Sequence, residues 1–182
     1  KNFTENEVTY YKEKYLFVCG STHPGEEEIL IDSFIDLNKD NKHLVLAPRH
    51  PERFGEIKEL VNKKNLSNIL YTEISSNPDI KSDVTIVDVI GRLLDFYEIA
   101  DCVFIGGTLV DHGGQNFLEP AFFNKPIISG RSTYNFDEIS KKLSDLGLLK
   151  FVSNKDEISS VVENIEAISC LLYTSDAADD PT

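Results

Sequence analysis

Short apolar runs separated by longer amphipathic stretches recur along the chain. Tyr15-Leu16-Phe17-Val18-Cys19-Gly20 is apolar at nearly every position and ends on glycine, the pattern of a strand buried on both faces. The polar turn Ser21-Thr22-His23-Pro24-Gly25 leads into a predicted helix over residues 26–37. Its Ile29, Ile31, Phe34, Ile35 and Leu37 fall mostly on one stripe, and three leading glutamates suit the N-terminal end electrostatically. The unit then repeats. Strand 43–47, turn 48–51 and helix 52–64 are followed by strand 68–72, a polar loop over 73–82, strand 84–87 and helix 92–99. Next come strand 102–105, a glycine-rich loop, a short helix after Pro120, strand 126–129, helix 135–146, strand 149–152 and helix 155–168. Strands that alternate with helices imply right-handed parallel crossovers, hence an α/β, doubly wound parallel sheet. In such sheets ligands sit beyond the carboxyl ends of the strands. The polar clusters at 21–25, 48–51, 90–92 and 113–119 each follow a strand, so they should converge on that edge.

The glycine-rich stretch carries the most specific chemistry. Cys102-Val103-Phe104-Ile105 breaks on Gly106-Gly107, and a second pair, Gly113-Gly114, precedes Gln115-Asn116-Phe117-Leu118-Glu119-Pro120. Paired glycines let main chain approach a ligand, and a following helix start offers N–H groups to an anion such as a phosphate. The Glu119 carboxylate could accept from two neighbouring hydroxyls, such as those of a ribose, and phosphate with sugar suggests a nucleotide. The same residues have a purely structural reading: Asn116 and Glu119 have the spacing of a capping box, and Pro120 suits a first helical turn.

Composition narrows the classes. Acidic residues number 31 against 18 Lys and Arg, a net charge of -13 that argues against a nucleic-acid-binding or anionic-lipid-binding surface. Cys19, Cys102 and Cys170 form no CxxC pair, and the histidines show no HxxxH spacing, so neither a disulfide framework nor a metal or other cofactor is expected. No apolar run approaches the ~20 residues that span a bilayer. Both ends are expected to be cut, there being no Met anywhere in the chain. Residues 170–182 begin with Cys170-Leu171-Leu172-Tyr173-Thr174-Ser175-Asp176, which resembles the translation of a sequencing adapter, so the native unit is expected to be 1–169.

Several spaced motifs together carry a family resemblance. Ser21-Thr22-His23-x-Gly25-Glu26-Glu27, Pro48-Arg49-His50-Pro51-Glu52-Arg53-Phe54, Gly106-Gly107, Gly114-x-Asn116-x-Leu118-Glu119-Pro120, Lys125-Pro126 and Asn135-Phe136 occur in that order. They resemble the C-terminal half of bacterial 3-deoxy-D-manno-octulosonic acid (Kdo) transferases over roughly residues 15–150. The resemblance implies the Rossmann-like C-terminal domain of a GT-B glycosyltransferase, binding the donor CMP-Kdo. The acceptor would be a lipid A precursor of lipopolysaccharide, reached through an N-terminal domain that also supplies the catalytic base and the association with the cytoplasmic face of the inner membrane. The family's CMP-contacting motifs fall on Pro48 and Arg49, on Ile90, Gly91 and Arg92, and on Gly114, Asn116, Phe117, Leu118 and Glu119. Arg92 stands where the family commonly has Glu, and Asp111-His112 is not the usual pair in its loop.

Further candidates have competing readings. The Arg49 guanidinium matches a phosphate, or else pairs with Glu52 at the surface. His50 could bond the nucleotide or merely fill a turn. Ser21 and Thr22 could meet the donor sugar's carboxylate or cap the next helix. No catalytic residue is assigned in this chain. A UDP-sugar transferase or epimerase half, and a nucleotide-binding module without catalysis, remain as alternative functions.

Overall fold

A computed structural model describes residues 2–37 and 40–176. The elements in order are α1 (Glu5–Tyr11), β1 (Tyr15–Thr22), α2 (Glu26–Asp36), β2 (Lys42–Pro48), a 3-10 turn (Pro51–Arg53), α3 (Phe54–Lys63), β3 (Asn68–Leu70) and α4 (Tyr71–Ile74). They continue with β4 (Val84–Ile86), α5 (Leu93–Ile99), β5 (Cys102–Ile105), α6 (Leu118–Phe122), β6 (Ile127–Ser129), α7 (Asp137–Asp145), β7 (Leu149–Phe151) and α8 (Lys155–Asp176). The seven strands are all parallel, in the order β3-β4-β2-β1-β5-β6-β7. This is the doubly wound sheet that the alternation predicts. The chain moves from β4 on one side of β1 to β5 on the other, which makes the β1/β5 junction the topological switch and places a crevice above it.

Period-2 geometry accounts for the two cores. Along β1, Tyr15, Phe17 and Cys19 face one layer with Leu30, Phe34, Ile57 and Val162, whereas Leu16 and Val18 face the other with Tyr10, Phe96, Tyr97 and Leu143. Both sets are buried, so the strand reads as a continuous apolar run.

Several boundaries differ from the sequence expectation. Residues 2–14 carry α1, opened by a capping box in which Thr4 and Glu7 satisfy each other's backbone N–H groups. The predicted strand 68–72 ends at Leu70, and Tyr71–Ile74 turns into a one-turn helix instead of opening the polar loop. Buried Tyr71 and Ile74 anchor it, a tertiary contact that propensity does not register. Helix α6 starts two residues before Pro120, whose missing N–H falls in the first turn where none is needed. Helix α8 continues past the predicted end at residue 168 to Asp176, and residues 177–182 of the adapter-like tail lie outside the described residues.

Candidate functional site

At the carboxyl edge of the sheet a cavity of about 320 Å³ is lined by Ser21, Arg49, Gly91, Leu93, Leu94, Tyr97, Gln115, Asn116 and Glu119. A second, of about 150 Å³, adjoins it through Ser21, Arg49, Gly91 and Leu93, and adds Pro48, Val89 and Ile90. Together they form one cleft floored by α5 and walled by the loops after β1, β2, β4 and β5.

Local backbone geometry places the wall residues. Register slips between Gly20 and Thr22 in β1, and at this bulge Ser21 takes a left-handed φ of 55°, a conformation that costs energy in a non-glycine residue. The bulge sets Ser21 in the cleft lining and buries Thr22, whose hydroxyl donates to Glu27 Oε1 at 2.8 Å. Arg49 follows β2, its backbone N–H bonded to Thr22 O at 2.9 Å. Its exposed guanidinium has no carboxylate partner among the described residues, and Glu52 instead lies 3.7 Å from His50 Nδ1. Opposite, Asn116 Oδ1 accepts from Leu118 N at 3.0 Å while its amide donates to Glu119 Oε1 at 3.3 Å. Asn116 therefore forms an Asx turn leading into α6, whose N-cap is Phe117 without a side-chain cap bond, and Glu119 contacts the Asn116 side chain rather than its backbone N–H, so no capping box is formed.

The glycine-rich loop does not act as the sequence suggested. The N–H groups of Gly107, Thr108 and Leu109 all point at the carboxylate of Glu26, at 2.8, 3.0 and 3.0 Å, and His23 N adds a fourth bond at 2.9 Å. Glu26 is fully buried. The anion held by this nest is thus a side chain of the protein itself. The second pair is occupied as well, Gly113 N donating to Ser132 Oγ and Gly114 N to Gly107 O. Beside this loop the rings of His23 and His112 stack with centroids 4.3 Å apart. Burial, outweighing the attraction of Glu26, pushes the His23 pKa down.

Of the predicted residues, the cleft gathers Ser21, Pro48, Arg49, Ile90, Gly91, Asn116 and Glu119. Thr22, His50, Arg92, Gly114, Phe117 and Leu118 are not in its lining. Phe117 is buried against Phe136, with ring centroids 5.8 Å apart. Arg92 turns away, 2.8 Å from Asp95 and 3.7 Å from Glu7, with its guanidinium over the rings of Phe3 and Tyr71. Sequence reading missed Leu93, Leu94, Tyr97 and Gln115. The available signal was position, since the first two turns of a helix leaving β4 must border the carboxyl edge.

A doubly wound, Rossmann-like parallel sheet with a cleft at its carboxyl edge defines the fold class, and the comparisons match it to the C-terminal domain of a GT-B glycosyltransferase. No family model matches the chain. It is 37% identical over 155 residues to a 3-deoxy-D-manno-octulosonic acid transferase of Haemophilus influenzae, covering 84% of this chain and 36% of that protein. It is also 37% identical over 155 residues to a bifunctional glycosyltransferase/methyltransferase of Fusobacterium nucleatum, covering 85% of this chain and 24% of that protein. Among solved structures it matches the C-terminal CMP-Kdo binding domain of WaaA from Acinetobacter baumannii at a TM-score of 0.79 and 26% identity, covering 89% of this chain and 85% of that one. In sequence and fold, then, the chain matches the C-terminal donor-binding half of the bacterial Kdo transferases. It spans about a third of the length of such relatives, 36% in the Haemophilus protein.

Proposed function

We propose that this chain is the donor-binding half of a glycosyltransferase that moves Kdo from CMP-Kdo to a lipid A precursor at the cytoplasmic face of the inner membrane. The acceptor and the location rest on the family resemblance alone. Among the described residues no helix is long and apolar enough to cross a membrane. The observation that carries the donor reading is Arg49, a cation without a carboxylate partner among the described residues, which lines a cleft with Glu119 and Asn116. Charge would build on the CMP phosphate as the bond to the anomeric carbon breaks. A preorganised guanidinium stabilises that charge with little reorganisation. Glu119, across the cleft, suits the two ribose hydroxyls as a double acceptor. The residues of 1–169 form the proposed unit, and no group in this cleft is assigned as the base.

The test is a titration of CMP, UDP and cytidine against wild type and Arg49→Lys. Lysine keeps the charge but loses the two-pronged geometry, so CMP binding should weaken while cytidine, which has no phosphate, binds as before. Unchanged CMP affinity in the variant removes Arg49 from the site. Tighter binding of UDP than of CMP by wild type would favour a UDP-sugar enzyme instead.

A further inference from the structure

Tyr97 lines the cleft but has no part in the reading above. It projects from α5, its residue surface is only 2% exposed, and its hydroxyl has no hydrogen-bond partner among the described residues. Other buried phenols of the same layer are satisfied: Tyr10 bonds Ser82 Oγ at 2.6 Å, and Tyr11 bonds Thr85 Oγ1 at 3.2 Å. The Tyr97 oxygen, by contrast, opens on the cleft, so a ligand there can accept its hydrogen bond without displacing any bond of the fold.

The position of that hydroxyl is fixed by a glycine. A β-carbon at residue 20 would stand 2.0 Å from the Tyr97 oxygen, so the phenol reaches the end of β1 only because position 20 has no side chain. The hydroxyl therefore lies next to Ser21, on the wall that also presents Arg49. Ser21, Arg49 and Tyr97 bring donors to this cleft, and Glu119, whose charge reaches the phenol, brings an acceptor. A phosphate has only acceptors and fits the donors; ribose hydroxyls fit the carboxylate. We propose that the Tyr97 hydroxyl donates a hydrogen bond to the phosphate of the bound nucleotide, beside Arg49. Burial, with the Glu119 charge added, raises the phenol's pKa and keeps the proton on the oxygen. This inference rests on the CMP-binding reading and adds to it a specificity-determining contact.

Calorimetric titration of CMP and of cytidine against the 182-residue chain and its Tyr97→Phe variant decides the matter. Tyr97→Phe is expected to bind CMP about tenfold more weakly, the scale of one hydrogen bond to a charged group, and cytidine unchanged. Its melting temperature should hold or rise, because the oxygen removed has no partner among the described residues. A purely structural tyrosine would do the reverse, moving the melting temperature and sparing the CMP-to-cytidine ratio. Unchanged CMP affinity, or equal loss for both ligands, overturns the contact while leaving the donor reading intact. If wild type itself does not prefer CMP to cytidine, the donor reading fails, and the role of Tyr97 fails with it.

Discussion

Replacing Glu26 with Gln should loosen the loop that carries the cleft wall. Each carboxylate oxygen accepts two backbone N–H groups: Oε1 from Thr108 and Leu109, Oε2 from His23 and Gly107. Glutamine has one acceptor and one donor end, so whichever way it turns, two buried N–H groups face another donor. At about 1–3 kcal/mol per unsatisfied buried group, the expected destabilisation is roughly 2–6 kcal/mol. For a chain of this size about 2–4 °C accompanies each kcal/mol, which gives a fall in melting temperature of roughly 5–20 °C. Urea unfolding of the two proteins measures the free energy, and amide hydrogen exchange at Gly107, Thr108 and Leu109 localises it. A loss below about 1 kcal/mol, or exchange that rises uniformly across the sheet, would refute Glu26 as the anchor of this loop.

Two further outcomes follow from named groups. Glu119→Gln should weaken CMP and cytidine binding alike, by about 1–3 kcal/mol, because the contact is with the shared ribose; a lowered melting temperature with unchanged affinity would instead make Glu119 a helix-start residue only. His43 is buried, with Nδ1 3.1 Å from Ser82 O and Nε2 2.8 Å from Thr85 Oγ1, and burial first, then the charge of Lys14, pushes its pKa down to about 3. The unfolded chain titrates near pH 6.5 and so binds more protons between pH 6.5 and 3, where stability must fall on acidification. This stabilisation is fully present above pH 6.5, and its loss amounts to roughly 4 kcal/mol by pH 3. An acid-unfolding profile of His43→Gln with the same slope below pH 6.5 as wild type would sink this assignment.

How far the sequence could be read depended on the range of the interaction involved. Strands such as Cys102–Ile105 are legible because burial on both faces needs only a local apolar run. The one-turn helix Tyr71–Ile74 is not, because burial of Tyr71 and Ile74 in the layer below holds it rather than a local periodic pattern. The cleft follows the same division. Pro48, Arg49, Asn116 and Glu119 lie in polar clusters immediately after strands, where the sheet rule places ligands. Tyr97 has the spacing of a core aromatic and is one over most of its surface; that its oxygen opens on the cleft depends on Gly20, 77 positions earlier. The glycine-rich loop misled for a related reason. Its geometry does collect an anion, but Glu26 supplies it from across the β1/β5 junction, and no pattern local to residues 106–114 shows that the nest is already filled.

The state of Arg49 follows from how the neighbouring acids are engaged. In a chain with a net charge of -13, a surface arginine without a carboxylate partner among the described residues needs a reason. Besides Glu119, which lines the same cleft, three glutamates near the carboxyl edge could have approached it, and each lies elsewhere. Glu26 is turned inward onto four amides, and Glu27 is held by Arg53 at 2.9 Å and by the Thr22 hydroxyl. Glu52 lies toward His50. Arg53, four residues after Arg49 at the end of the 3-10 turn Pro51–Arg53, thus pairs with the buried Glu27, whereas Arg49 lines the cleft. The result is one arginine that holds the fold together at α2 and one that faces the cleft with its donors unspent, which is the division an incoming phosphate requires.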